Sequence, residues 1–195
     1  MARPDMIWSI GHSTRSIETF TALLHHYRIE AVADIRRFPG SRRLPQFAQA
    51  ALSASLAEHN IEYQLITELG GRRRPTEDSP NIVWRNASFR GYADHTASRE
   101  FAAGLARLRQ LAVRRRTTMM CAEVLWWRCH RSLVADVLMV SGTQVLHIRD
   151  EKHLEEHPFT GPARLHQGQL TYDATKGEPL NARQRSQDSQ HRLNL

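Results

Sequence analysis

The sequence predicts an α/β fold: a mostly parallel open sheet of about five strands with helices on both faces. Three observations predict it. Short apolar runs recur along the chain, and most are followed by segments whose apolar residues return at helical spacing. Strands that alternate with helices form crossover units, and such units lay their strands parallel. The loops richest in glycine, arginine and proline follow the strands, at the end where open α/β sheets bind ligands.

Taken in order, Met6-Ile7-Trp8-Ser9-Ile10 reads as a buried strand ending at Gly11-His12-Ser13. Ser16 then caps a helix whose Ile17, Phe20, Leu23, Leu24 and Tyr27 share a face. Residues 30–35 form the second strand, and the "RRFPGSRRLPQF" behind it is an irregular basic loop. Helix returns over 47–59, with Phe47, Ala51, Leu52 and Leu56 on one side. Residues 61–66 alternate like a strand and lead into "TELGGRRRP". Residues 75–96 keep no clean period and read as an extended loop or insertion carrying Trp84, Phe89 and Tyr92. Ser98 caps the next helix, with Phe101, Leu105, Leu108 and Leu111 turned inward. Residues 117–121 are a strand, a helix runs from Cys129 to about Val140, and residues 143–148 are the last strand. The whole reads as one Rossmann-like or flavodoxin-like domain over residues 1–173, without internal repeats. Residues 174–195 are polar and are expected to form a flexible tail.

The charge points to a partner. Net charge is +7, and of the 27 basic residues only Lys152 and Lys176 are lysines. Arginine clusters at Arg36-Arg37, Arg42-Arg43, Arg72-Arg73-Arg74 and Arg114-Arg115-Arg116 suit a polyanion, because the guanidinium fork matches phosphate. Arginine-favouring codon usage would give the same excess without any such partner. No apolar run is long enough for a membrane span, and the N-terminus lacks the apolar core of a signal peptide. Two cysteines cannot make a disulfide scaffold. The expectation is a soluble cytoplasmic protein with a nucleic-acid partner, DNA rather than RNA, and no membrane.

The chemistry concentrates in "MMCAEVLWWRCHRSLVADVL", residues 119–138. Cys121, Cys129 and His130 with His12 are metal-ligating types, but adjacent Cys129 and His130 at a helix start should point apart, and the spacing fits no common zinc module. No metal or cofactor is expected. Cys129 at a helix N-terminus between Arg128 and His130 has the setting of a thiolate, yet no phosphatase loop surrounds it. An anion cradle is better supported. Backbone N–H groups at the helix start, with Arg128, Arg131 and Ser132, favour negative charge. Ser13, Arg36, Arg42, Arg43, Gly70, Gly71 and Arg72 are further candidates for phosphate contact. His12, Asp34, Glu123 and His130 are acid/base candidates at one end of the sheet. Trp126 and Trp127 offer stacking surface for a base. Cys121 and Cys129 are expected to support the site without acting as nucleophiles.

The segments "IGHSTRS", "VADIRRFPGSRRLPQF", "ELGGRRR", "CAEVLWWRCHRSLVADVL" and "LHIRDEKHLEEHPFT", over roughly residues 6–173, resemble a family of bacterial proteins known as domain of unknown function, family 488. The resemblance implies a compact α/β domain with those motifs clustered. It carries over His12, Ser13, Asp34, Arg36, Gly70, Gly71, Cys121, Glu123, Cys129, His130 and Arg131 as site residues. Many relatives have a charged, proline-containing stretch where this chain has Val124-Leu125-Trp126-Trp127, so contacts there are expected to differ. The parts assembled are those of a nucleic-acid-acting hydrolase, foremost a DNA glycosylase cleaving the bond to a modified base. A phosphoester or nucleotide-processing hydrolase and a non-catalytic basic DNA-binding module are the alternatives.

Overall fold

The computed structural model describes residues 6–180. All five expected strands are present: β1 (Met6–Gly11), β2 (Ala31–Asp34), β3 (Glu62–Leu65), β4 (Thr117–Cys121) and β5 (Gln144–Ile148). Every pairing among them is parallel. A short antiparallel strand, β6 (Leu154–Glu156), follows β5 and completes a six-stranded sheet in the order β3-β2-β4-β1-β5-β6. In the Rossmann and flavodoxin sheets β1 and β2 are neighbours; here β4 lies between them.

The alternation of side chains along each strand sorts the core into two layers. On one face Trp8, Ile10, Val32 and Met120 pack under α1 (Ile17–His26) and α2 (Gln49–Glu58) through Phe20, Leu24, Leu52 and Leu56. On the other, Ile7, Ala33 and Met119 meet α4 (Arg99–Arg114) and α5 (Arg131–Val140) through Phe101, Leu108, Leu133 and Leu138. Ser16 and Ser98 cap their helices as expected, Ser16 Oγ accepting from the Thr19 N–H at 3.2 Å and Ser98 Oγ from the Phe101 N–H at 3.0 Å.

Two expectations are corrected. The span 75–96 holds a helix, α3 (Ala87–Thr96), whose start is fixed by Asn86 Oδ1 accepting from the Ser88 and Phe89 N–H groups. Its inner face carries Gly91 and His95 beside Tyr92 and Ala93, so no apolar stripe marked it. Part of the span expected as tail, up to residue 180, belongs to the fold. Residues 178–179 form β9, which with β7 (Arg164–His166) and β8 (Gln169–Thr171) makes a small antiparallel sheet closed onto the core by Ala163, Tyr172 and Leu180. The rest of the expected tail, 181–195, lies outside the described residues.

Layering fixes where a cleft opens. The chain leaves β1 and β2 toward one face and leaves β4 toward the other, and β4 is the strand between them. The connections therefore splay apart above its carboxyl end, as they do at the switch points of open α/β sheets.

Candidate functional site

A cleft of about 500 Å³ opens at that point. Ser13 after β1, the segment from Arg36 to Gly40 after β2, and Gly71 and Arg72 after β3 contribute to it. The loop after β4 supplies Cys121, Glu123, Arg128, Cys129 and His130, and α3 supplies Ser88, Phe89 and Tyr92. Ser13 and Arg72 hold left-handed backbone, with φ of 49° and 58°. Non-glycine residues there cost of order 1 kcal/mol or more, and such positions gather at functional sites.

The floor is a cluster of thiols and imidazole. The ligand atoms of Cys121, Cys129 and His130 lie within 4.8 Å of one another. Cys129 Sγ is 3.5 Å from His130 Nδ1, so the expectation that these adjacent side chains diverge is corrected. The short non-helical bend at Cys129 turns both toward the cleft before α5 begins. His130 Nε2 is 3.1 Å from the Ile35 carbonyl, which can only accept, so Nε2 carries a hydrogen and Nδ1 is the nitrogen facing Cys129. Burial would raise the Cys129 pKa, but contact with the Cys121 thiol and the charges of His130 and Arg131 outweigh it and hold the thiol well below its usual range. Cys121 moves the opposite way, raised first by its contact with Cys129 and then by burial. The contact thus pushes the two thiols in opposite directions, Cys129 toward thiolate and Cys121 away from it.

Beside the floor is a charged pair whose cation, Arg36, lines the cleft and whose carboxylate, Asp34, does not. Asp34 is fully buried; its Oδ1 accepts from Arg36 Nε at 2.8 Å, and its Oδ2 from Arg36 Nη2 at 2.6 Å and Tyr63 Oη at 2.7 Å. Arg36 Nη1 reaches His12 Nε2 at 3.3 Å, while His12 Nδ1 donates to the Ser13 carbonyl at 2.9 Å. His12 stacks on Phe47 with ring centroids 4.1 Å apart. Burial, together with the Arg36 charge, lowers its pKa to about 4, although the Ser13 carbonyl pulls the other way. His12 and Asp34 are therefore positioning groups for Arg36, and neither lines the cleft.

Several expected phosphate ligands are also spent elsewhere. Arg131 is 1% exposed and donates to Ser9 Oγ, to the Glu123 and Val124 carbonyls and to Cys129 Sγ, pinning the loop after β4 against β1. Ser132 is buried, its Oγ donating to the Cys129 carbonyl at 2.9 Å. Of the three side chains expected to make an anion cradle at the α5 start, Arg131 and Ser132 are thus committed inside the fold and Arg128 lines the cleft. Arg42 and Arg43 are exposed but lie outside the cleft lining. Gly70 packs on the backbone of Arg37, while a Cβ on Gly71 would come 2.7 Å from His130 Nδ1. Both glycines serve close packing, and only Gly71 faces the cleft.

The tryptophans divide. Trp126 stacks on His147 at 4.5 Å and donates from Nε1 to Glu155 Oε2 at 3.0 Å, so it is packing. Trp127 is 44% exposed but does not line the cleft. The aromatic rings of the lining are Phe38, 61% exposed, with Phe89 and Tyr92. Phe38 was legible as an apolar ring between Arg37 and Pro39; Phe89 and Tyr92 were hidden by the unread helix α3. Glu123, exposed in the lining, accepts from the Leu125 N–H at 3.3 Å and is the one carboxylate residue of the lining. Arg37, Arg72 and Arg128 are its exposed cations.

Fold and site together define an open α/β protein whose switch-point cleft carries a thiol–imidazole floor, one carboxylate and an arginine rim. Residues 16–138 match the family described as Domain of unknown function DUF488, and the chain belongs to that family. No curated protein and no solved structure matches the chain. The matched span holds the cleft segments after β2, β3 and β4 together with α3, while His12 and Ser13 precede it.

Proposed function

We propose that the protein is a nucleic-acid-acting hydrolase, foremost a DNA glycosylase that cleaves the bond between deoxyribose and a modified base. The observation that carries this reading is the isolation of one exposed carboxylate, Glu123, in a cleft rimmed by Arg37, Arg72 and Arg128 and bearing the open ring of Phe38. A flipped nucleotide needs those three things: cations for the flanking phosphates, a flat apolar surface for the base, and a carboxylate at the sugar. Glu123 orients water or stabilises the positive charge that develops on the sugar. The corner made by Cys129 and His130 faces the departing base. Asp34 and His12 act through Arg36, and stacking passes from Trp126 and Trp127 to Phe38 and Phe89.

Incubation with duplexes carrying a panel of modified bases tests the reading. Free base, with strand breaks that appear only after alkali, is the expected result; no release from any duplex overturns it. The cleft volume of about 500 Å³ favours a second reading, a hydrolase of small phosphorylated substrates, since such ligands occupy clefts of roughly this size. Turnover of mononucleotides without release of base from duplexes would select it. Salt-sensitive binding with no product of either kind would leave a basic DNA-binding module.

A further inference from the structure

The thiol–imidazole floor has the stereochemistry of a metal centre. We propose that Cys121, Cys129 and His130 form a three-ligand site for a borderline divalent cation, zinc by its chemistry, with the fourth position open to the cleft. Zinc bonds of about 2.3 Å to sulfur and about 2.0–2.1 Å to nitrogen, at tetrahedral angles, put a sulfur and a nitrogen ligand about 3.5 Å apart. Cys129 Sγ and His130 Nδ1 are 3.5 Å apart, and the Cys121 ligand atom lies within 4.8 Å of both.

The surroundings prepare the same three atoms. Nε2–H of His130 is committed to the Ile35 carbonyl at 3.1 Å, the arrangement that orients a metal-bound imidazole and leaves its other nitrogen free to ligate. Beside that nitrogen stands Gly71, where a Cβ would come 2.7 Å from it, so glycine keeps the approach clear. Arg131 Nε donates to Cys129 Sγ at 3.5 Å, a partner suited to a ligating thiolate. Both cysteines are free thiols. Two sulfurs and an imidazole select zinc over magnesium or calcium. Three protein ligands with an open fourth position is the pattern of catalytic zinc, and Glu123 lines the same cleft.

This site stands whether or not the glycosylase reading does, because its test uses no substrate. The full chain is purified with reductant and without chelator from zinc-supplemented medium, and its metal is measured by emission spectroscopy. One zinc per chain is expected, bound ~100-fold or more weakly in Cys121→Ser, Cys129→Ser and His130→Gln, each checked for fold by circular dichroism. His59→Ala, at the exposed His25–His59 contact, should keep the metal. Replacement by cobalt should give intense visible bands of tetrahedral geometry and near-ultraviolet thiolate-to-cobalt absorption. Zinc should also shield both cysteines from alkylation, and these two wild-type measurements decide the matter if the variants do not fold. Absence of zinc, zinc indifferent to the cysteines, cobalt spectra without the thiolate band, or a Cys121–Cys129 disulfide in freshly prepared protein would each overturn the proposal.

Discussion

Replacing Asp34 by asparagine separates a structural from a catalytic role for the most deeply buried carboxylate of the site. Asn Oδ1 can still accept from the Arg36 N–H and Nε, but its amide would present a donor where Asp34 Oδ2 receives Arg36 Nη2 at 2.6 Å and Tyr63 Oη at 2.7 Å. The Arg36 Nη2–H would then face a donor, and Tyr63 Oη would have to turn and accept from the amide. The Arg36 guanidinium, 7% exposed in its side chain, would stay charged without a counterion. Removing one partner of a buried ion pair costs about 3–5 kcal/mol, and the amide keeps both contacts at Oδ1, so the lower half of that range is expected. Against a total stability of about 5–15 kcal/mol, this is a large fraction. Equilibrium urea unfolding reads it directly, as a lowered midpoint with an unchanged slope. A loss below about 1 kcal/mol together with abolished turnover would refute the reasoning and return Asp34 to the reacting atoms.

Glu123→Gln should behave in the opposite manner. Its single backbone contact survives in the amide, so the urea midpoint should move by under about 0.5 kcal/mol while base release falls ~100-fold or more. Arg72→Ala and Arg128→Ala should each flatten the salt dependence of DNA binding by about one phosphate contact, measured by anisotropy titration at several salt concentrations; an unchanged slope would remove them from the interface. His147→Gln should flatten the pH dependence of stability. His147 is buried, and burial, then the His157 and Arg131 charges, lower its pKa from 6.5 to about 2. Because the unfolded chain takes up that proton near pH 6.5 and the fold does not, this stability is present above pH 6.5 and is lost as pH falls below it. The substitution should remove about 1.4 kcal/mol per pH unit from the slope between about pH 6 and 5, read by urea unfolding at each pH, and an unaltered slope would mean that His147 titrates normally.

The sheet was legible because parallel strands are buried on both faces and must be written as nearly continuous apolar runs, as in "MIWSI" and "AVAD". Their order was not, since nothing in a strand's own residues says that β4 inserts between β1 and β2. The site was legible as a set of addresses rather than as roles. Asp34 and Glu123 look alike in sequence, each a carboxylate at or just past the end of a buried strand. The structure buries one against Arg36 and exposes the other, because Arg36 folds back over β2 while the loop after β4 turns outward. Arg131 misled for a related reason. Its position at a helix start suggested an anion ligand, yet Ser9 inside β1 offered a nearer partner. Such long-range partners leave no trace in local spacing.

That division also explains why the cleft can be both rigid and charged. Burying a guanidinium costs several kcal/mol unless its donors are matched. Arg36 is matched by a carboxylate, and Arg131 by a hydroxyl, two carbonyls and a thiol, none of them a carboxylate. The Arg131 charge is therefore not neutralised by the groups it touches unless Cys129 carries a negative one. A thiolate at Cys129 satisfies that cation and at the same time prepares the floor of the cleft to bind an electrophile, so the same electrostatic requirement that stabilises the loop after β4 sets up its chemistry. On this argument Cys129→Ser should do more than remove a sulfur. A neutral hydroxyl in place of the thiolate should leave Arg131 uncompensated and cost about 2–4 kcal/mol, whereas Cys121→Ser, at the thiol whose pKa is pushed up, should cost clearly less. Urea unfolding of the two variants side by side, with metal removed from both, measures the difference, and equal losses would refute the pairing of Arg131 with a charged Cys129.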